Sequence, residues 1–190
     1  MSDKIITKEE ITDRKTVYDG YCKVEEVTVT KGDETHIREI VSGGNNIAAI
    51  IKDTAKNKYI FVQQYRPAVK GVMVEVVSGG IDYGETPEEA IKREVMEETG
   101  YKVDHMNHIY DFYDTPGIMS DICSLFYVEV SDRVHEGGET GGESISLVEV
   151  EMLGLNGKLF FQDPFAELEE GVEQNMVPPY QLIDAKSLVA

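Results

Sequence analysis

Two alternating runs open the readable pattern of the chain: YCKVEEVTVT, then the turn residues KGDE, then THIREIV, which together predict a β-hairpin between Val17 and Val41. SGGNN at 42–46 punctuates the chain. Beyond it NIAAII and YIFVQQY read as apolar strands flanking KDTAKNK, and VMVEVVSGG, HIYDFYD, ICSLFYVEV and ISLVEVEML read as further strands. TPGIMSD separates two of these, and HEGGETGGE reads as a glycine- and glutamate-rich loop. The tail DPFAELEEGVEQNM predicts a short helix that ends before Pro178. The expected fold class is α+β: mixed strands around one or two helices.

One helix is predicted in detail. In GGIDYGETPEEAIKREVMEETGY, Thr86 suits the N-cap, Pro87 the first helical position and Glu89 the capping-box partner, while Gly100 sits where a left-handed C-terminal residue belongs. The helix therefore runs from about Pro87 to Glu98. At helical periodicity Glu94, Glu97 and Glu98 interleave with Ala90, Ile91 and Val95, and Lys92, Met96 and Glu89 face outward. Carboxylates at the edge of an apolar face are costly unless their pKa values rise or a cation binds them. Hard divalent ions prefer oxygen ligands, and Mg²⁺ commonly links carboxylates to substrate phosphates. A solvated acidic face, the ordinary meaning of a charge run, would place these glutamates opposite the apolar arc.

Composition narrows the partners. The 190 residues carry 18 Lys plus Arg against 36 Asp plus Glu, a net charge of −18, which argues against nucleic acid. No run approaches the roughly eighteen apolar residues of a membrane span, and the start MSDKIITKEE has no apolar core. Cys22 and Cys123 lack metal or redox spacing and are expected to be thiols in a cytoplasmic protein, a single disulfide being the alternative. His36, His105, His108 and His135 show no metal spacing.

The stretch from Gly79 to Tyr101 resembles the Nudix box, Gx5Ex7REUxEExGU, at Gly79, Glu85, Arg93, Glu94, Glu97, Glu98 and Gly100, with Tyr101 where an aliphatic residue is more usual. At ordinary residue frequencies such a match arises by chance on the order of once in a hundred thousand sequences or fewer. QQYRP at 63–67, VEVVSGG at 74–80 and TPG at 115–117 are similar to the ADP-ribose and nucleoside-diphosphate-sugar pyrophosphatase branch. The likeness extends from about Val17 to Met152.

The resemblance implies a Nudix α/β/α sandwich with a mixed sheet and an amino-terminal hairpin subdomain: residues 1–45 as a dimerisation element, 46–190 as the hydrolase domain. It implies hydrolysis of ADP-ribose or a related nucleotide sugar, with Mg²⁺ as cofactor and Mn²⁺ as a substitute. Glu94 and Glu98 are its metal ligands, joined by the Ser78 carbonyl and by Glu143, which doubles as the base; Glu97 lies close by. Arg93 orients the glutamates and Glu85 holds Arg93. Arg66, Glu75, Pro116 and Asp121 are the substrate-binding candidates, Asp121 standing where branch members carry glutamate.

Alternatives stand beside several of these. Arg66 either grips a diphosphate or forms a surface ion pair, and Glu75 either accepts a hydrogen bond in the site or lines a solvent face. Glu139 competes with Glu143 as the loop glutamate. GDP-mannose or another nucleotide sugar is the neighbouring substrate reading; a binding module that does not cut its ligand, and a purely structural acidic protein, are readings of other classes.

Overall fold

NIAAIIKD and KYIFVQQYR form adjacent antiparallel strands because the seven residues from Asp53 to Tyr59 fold back tightly: Asp53 Oδ1 accepts from the backbone N–H of Ala55 (2.9 Å) and Lys56 (3.0 Å), and Asn57 takes a left-handed φ of 54°. The computed structural model describes residues 9–140 and 143–151, and excludes the side chains of 139, 140 and 143. The carboxy-terminal helix expected before Pro178 lies outside those residues.

The chain divides into two units, one of residues up to Asn45 with Phe112–Cys123, the other of Asn46–Asp111 with the residues from Ser124 onward. In the first, β1 (Glu10–Asp19), β2 (Lys23–Lys31) and β3 (Glu34–Ser42) make an antiparallel sheet in the order β1-β2-β3. The predicted hairpin is β2–β3, turning at Gly32 with φ 61°. Glu25, Val27 and Val29 alternate along the central strand and are buried. β1 is exposed throughout and interrupted by two register shifts. EITDRKTVYD lacks the apolar alternation that announces a strand, so its pairing is supplied by β2. The excursion 112–123 joins this unit: Val41 N donates to Ile118 O (2.8 Å), Gly43 N to Asp121 Oδ2 (2.6 Å) and Ile122 N to Asn45 Oδ1 (3.0 Å).

The second unit is built on β4 (Asn46–Asp53), β5 (Lys58–Arg66), β6 (Gly71–Glu75), β7 (Val77–Gly80), α1 (Pro87–Thr99), β8 (Tyr101–Tyr113), β9 (Ile122–Arg133), β10 (Glu139–Thr140) and β11 (Glu143–Glu151). The sheet order is β10-β11-β5-β4-β9-β8. β4 and β5 pair only where Ile51–Asp53 meets Lys58–Ile60; past that point β6 pairs with β5 and β7 with β4. VMVEVVSGG, one run in sequence, thus fills a fork between two strands and delivers Ser78, Gly79 and Gly80 beside α1, which packs on β7, β4 and β10.

The core below the helix joins Ile47, Ala49 and Ile51 of β4, Ile60 and Val62 of β5, Val77 of β7, Ala90, Ile91 and Val95 of α1, Tyr101 of β8, and Phe126, Val128 and Val130 of β9. Each large aliphatic side chain so buried contributes about 1.5–3 kcal/mol. The architecture is α+β, with α1 the one helix among the described residues. β8 starts seven residues before HIYDFYD, because DHMN carries polar residues on a largely exposed edge strand. The glycine- and glutamate-rich loop holds the small β10–β11 hairpin, in which Thr140 opposes Glu143.

Candidate active site

Local chemistry fixes the helix that carries the glutamates. Glu89 N donates to Thr86 Oγ1 (3.2 Å) and Thr86 N to Glu89 Oε2 (2.9 Å), a complete capping box ahead of Pro87. Gly100 closes the helix at φ 74°, its N–H reaching Met96 O at 2.9 Å. The buried side chains of α1 are Ala90, Ile91, Glu94, Val95, Glu98 and Thr99. Two carboxylates therefore share the buried face with the aliphatic residues.

Arg93 binds on three sides. Its Nε and Nη2 grip the two oxygens of Glu85 at 3.0 and 2.9 Å, Nη2 also donates to Gly80 O at 2.9 Å, and Nη1 reaches Glu94 Oε1 at 2.6 Å and Glu97 Oε2 at 3.5 Å. Glu85 in turn accepts from Asp82 N (3.0 Å). One guanidinium thus ties the loop before α1 to the glutamates on it. The Arg93 bond and the Asp82 N–H hold the Glu85 carboxyl below the usual range. Burial pushes Glu94 the other way, above its ordinary value, despite the opposing pull of Arg93.

Gly79 leaves room for the Glu94 carboxylate, because a Cβ there would overlap it and the Glu94 side chain would have to move. Its missing side chain forms a cradle in which Glu94 lies against the backbone beside Ser78. Among the described residues no three His, Cys, Asp or Glu side chains stand preassembled as a metal cluster. The donors around the cradle nevertheless suit a hard divalent cation: all are oxygens, three carboxylates (Glu85, Glu94, Glu97) share one arginine, Glu98 is buried on the same helix, and the burial that raises Glu94 is what a bound cation would offset.

The other expected residues fall into separate places. Arg66 and Glu75 bind each other, Arg66 Nη2 to Glu75 Oε2 at 2.7 Å and Nε to both oxygens, with Gln64 Nε2 at 3.4 Å from the same carboxylate. Asp121 is buried and accepts from Gly43 N, and Pro116 is exposed, both within the first unit. Glu143 opens β11 and Glu139 opens β10, and α1 packs on β10; their side chains lie outside the description. Sequence reasoning missed Arg133, which donates to Thr99 O at 3.0 Å. The only signal for its surroundings was the pair Gly137–Gly138, both at positive φ.

The NUDIX domain model matches residues 44–168. The chain belongs to the Nudix family. Its relatives include a GDP-mannose pyrophosphatase of Cronobacter sakazakii, 29% identical over 93% of this chain and 86% of that protein. A GDP-mannose pyrophosphatase of Escherichia coli K12 is 30% identical over 79% of each chain. The solved structure of an ADP compounds hydrolase superposes with a TM-score of 0.63 at 22% identity, covering 75% of this chain and 77% of that one, and shares the fold. The Nudix box of this chain is the loop-helix-loop from Gly79 to Tyr101 described above.

Proposed function

We propose that this Nudix pyrophosphatase hydrolyses the pyrophosphate bond of a nucleoside diphosphate sugar, GDP-mannose first among the candidates, releasing a nucleoside monophosphate and a sugar phosphate. The observation that carries the reading is the box itself, with Glu94 and Glu98 buried on one helix face, Glu94 cradled by Gly79 and held by Arg93. The preference for GDP-mannose over ADP-ribose, which the sequence put first, rests on the activity for which the curated relatives are named.

Glu94 and Glu98, with the Ser78 carbonyl and Glu143, would hold Mg²⁺, Mn²⁺ being the alternative. Chemistry supplied by such an ion when bound is neutralisation of the pyrophosphate and a lower pKa for the attacking water. Arg93 keeps Glu85, Glu94 and Glu97 in fixed relation, so that little rearrangement is needed when charge develops. Glu143 is the proposed base and Glu97 its substitute. Arg66 is the proposed diphosphate grip, held ready by Glu75 until a phosphate oxygen competes for the fork; Pro116 and Asp121 are the further proposed substrate-binding residues.

The proposed assembly is a homodimer through the β1–β3 sheet, supported by the exposed Ile11, Val17, Tyr18 and Ile37 on its outer strands. No described helix is long and apolar enough to cross a membrane. The proposed compartment is the cytoplasm, supported by Cys22 and Cys123 standing as thiols.

A panel of nucleotide sugars incubated with Mg²⁺ or Mn²⁺ and scored for monophosphate release tests the function. GDP-mannose should be cut fastest. A faster rate on ADP-ribose would transfer the assignment to it, and a ligand that raises the melting temperature without being cut would favour the binding-module reading.

A further inference from the structure

The last turn of α1 presents an electrostatic problem. It contains no basic residue, and Glu97 and Glu98 place negative charge at the negative end of the helix dipole, where carbonyls also need partners. The remedy comes from outside the helix. Arg133, the final residue of β9, donates from Nε to Thr99 O at 3.0 Å and from Nη2 to Glu136 O, with its guanidinium 5.9 Å from the centre of the Tyr101 ring. The loop after it follows the helix end: Val134 N donates to Gly100 O at 2.8 Å and Gly138 N to Glu97 O at 3.3 Å. Ile145 N then donates to Gly138 O at 2.7 Å, carrying the chain of bonds into β11.

The approach is close enough to dictate residue type. A Cβ on Gly137 would sit 2.5 Å from Glu98 O, and one on Gly100 would overlap His135 O; both glycines have left-handed φ values, 64° and 74°. Gly137 N also donates to His135 Nδ1 at 2.9 Å, which shapes the turn.

We propose that Arg133 and loop 134–138 form a clip that fixes the β10–β11 hairpin to the last turn of α1, making Arg133 a positioning residue for the hydrolysis. The clip joins the two elements on which the reaction depends: the turn bearing Glu97 and Glu98, and the hairpin bearing Glu139 and Glu143. Its loop bonds backbone to backbone and Arg133 bonds side chain to backbone, so the clip sets the register of the loop. The functional consequence rests on the hydrolase reading, whereas the clip itself can be tested in the free protein.

Amide hydrogen exchange on the full-length wild type and on Arg133→Ala is the primary test. In the variant Val134, Gly138 and Ile145 should exchange about tenfold faster or more, while the core of β4 and β5 keeps its protection. For the wild-type substrate, kcat should fall on the order of ten- to a hundredfold with KM within about twofold, as expected when a reacting group is misplaced and binding is not. Arg133→Lys keeps the charge and loses the fork that bridges two carbonyls, so it should recover only part of both effects; full recovery would reduce the role to charge alone and overturn the clip. Unchanged exchange at the three amides in Arg133→Ala, or uniformly faster exchange through β4 and β5, would also overturn it. These outcomes are independent of turnover, and absence of turnover in the wild type would strike the hydrolase reading instead.

Discussion

Tyr101 donates its phenolic hydrogen to Asp53 Oδ2 at 2.9 Å, and both side chains are 1% exposed. The residue that departs from the usual aliphatic at the end of the box is therefore part of a buried polar pair. Asp53 also accepts the two N–H groups of the β4–β5 turn, so the pair anchors the end of the Nudix helix to that turn. Lys56 Nζ lies 3.1 Å from the same phenol and 2.5 Å from Glu149. Burial raises the phenol above its ordinary value and keeps it a donor.

Tyr101→Phe should cost about 1–3 kcal/mol, because the ring still fills the core while a buried carboxylate loses its donor. Urea unfolding measures this directly. A loss below the error of the measurement would mean that Lys56 takes over the phenol's place.

Glu149 supplies a pH dependence. The hydrogen bond from Lys56, with help from Lys58, holds its carboxyl below the ordinary 4.5. Its folded pKa is depressed, so the stability it contributes is present above the unfolded value and lost as pH falls through the folded one. Urea midpoints of wild type and Glu149→Gln should differ at pH 6–7, taken as about neutral, and converge as the pH drops below the ordinary glutamate range. A gap that persists undiminished in acid would exclude the Lys56 pair as its source.

Much of this was legible in the chain because local rules agreed. Thr86, Pro87, Glu89 and Gly100 mark both ends of α1, and the interleaving of Glu94 and Glu98 with Ala90, Ile91 and Val95 follows from helical periodicity alone. β1 was not legible, since its pairing comes from β2 and its own residues are exposed. Arg66 meeting Glu75 depends on the register of β5 with β6, in which Val62 opposes Glu75, and Arg133 meeting Thr99 depends on where β9 ends in space. Such contacts between distant segments leave no trace in spacing.

Glu98→Gln keeps the volume of a buried ligand candidate and removes the charge that a divalent ion needs. Turnover should fall on the order of a hundredfold or more. Added Mg²⁺ should raise the melting temperature of the wild type and leave that of the variant nearly unmoved. Equal stabilisation of both proteins by Mg²⁺ would remove Glu98 from the ligand set.

The loop glutamate is the sharpest choice left by the box. Glu143 begins β11 opposite Thr140, and Glu139 begins β10 opposite Ser144, so the two lie one residue pair apart on facing strands of a short hairpin whose β10 packs against α1. A base must reach the attacking water once substrate is bound. If Glu143 acts on the water, Glu143→Gln should lower kcat and kcat/KM together while the dissociation constant for the nucleotide sugar stays nearly constant. Glu139→Gln should be nearly silent. The reverse outcome, loss of turnover in Glu139→Gln alone, would shift the assignment across the hairpin. Silence in both would pass the proton to a glutamate of α1, with Glu97, half-exposed and only 3.5 Å from Arg93, the group best placed to take it.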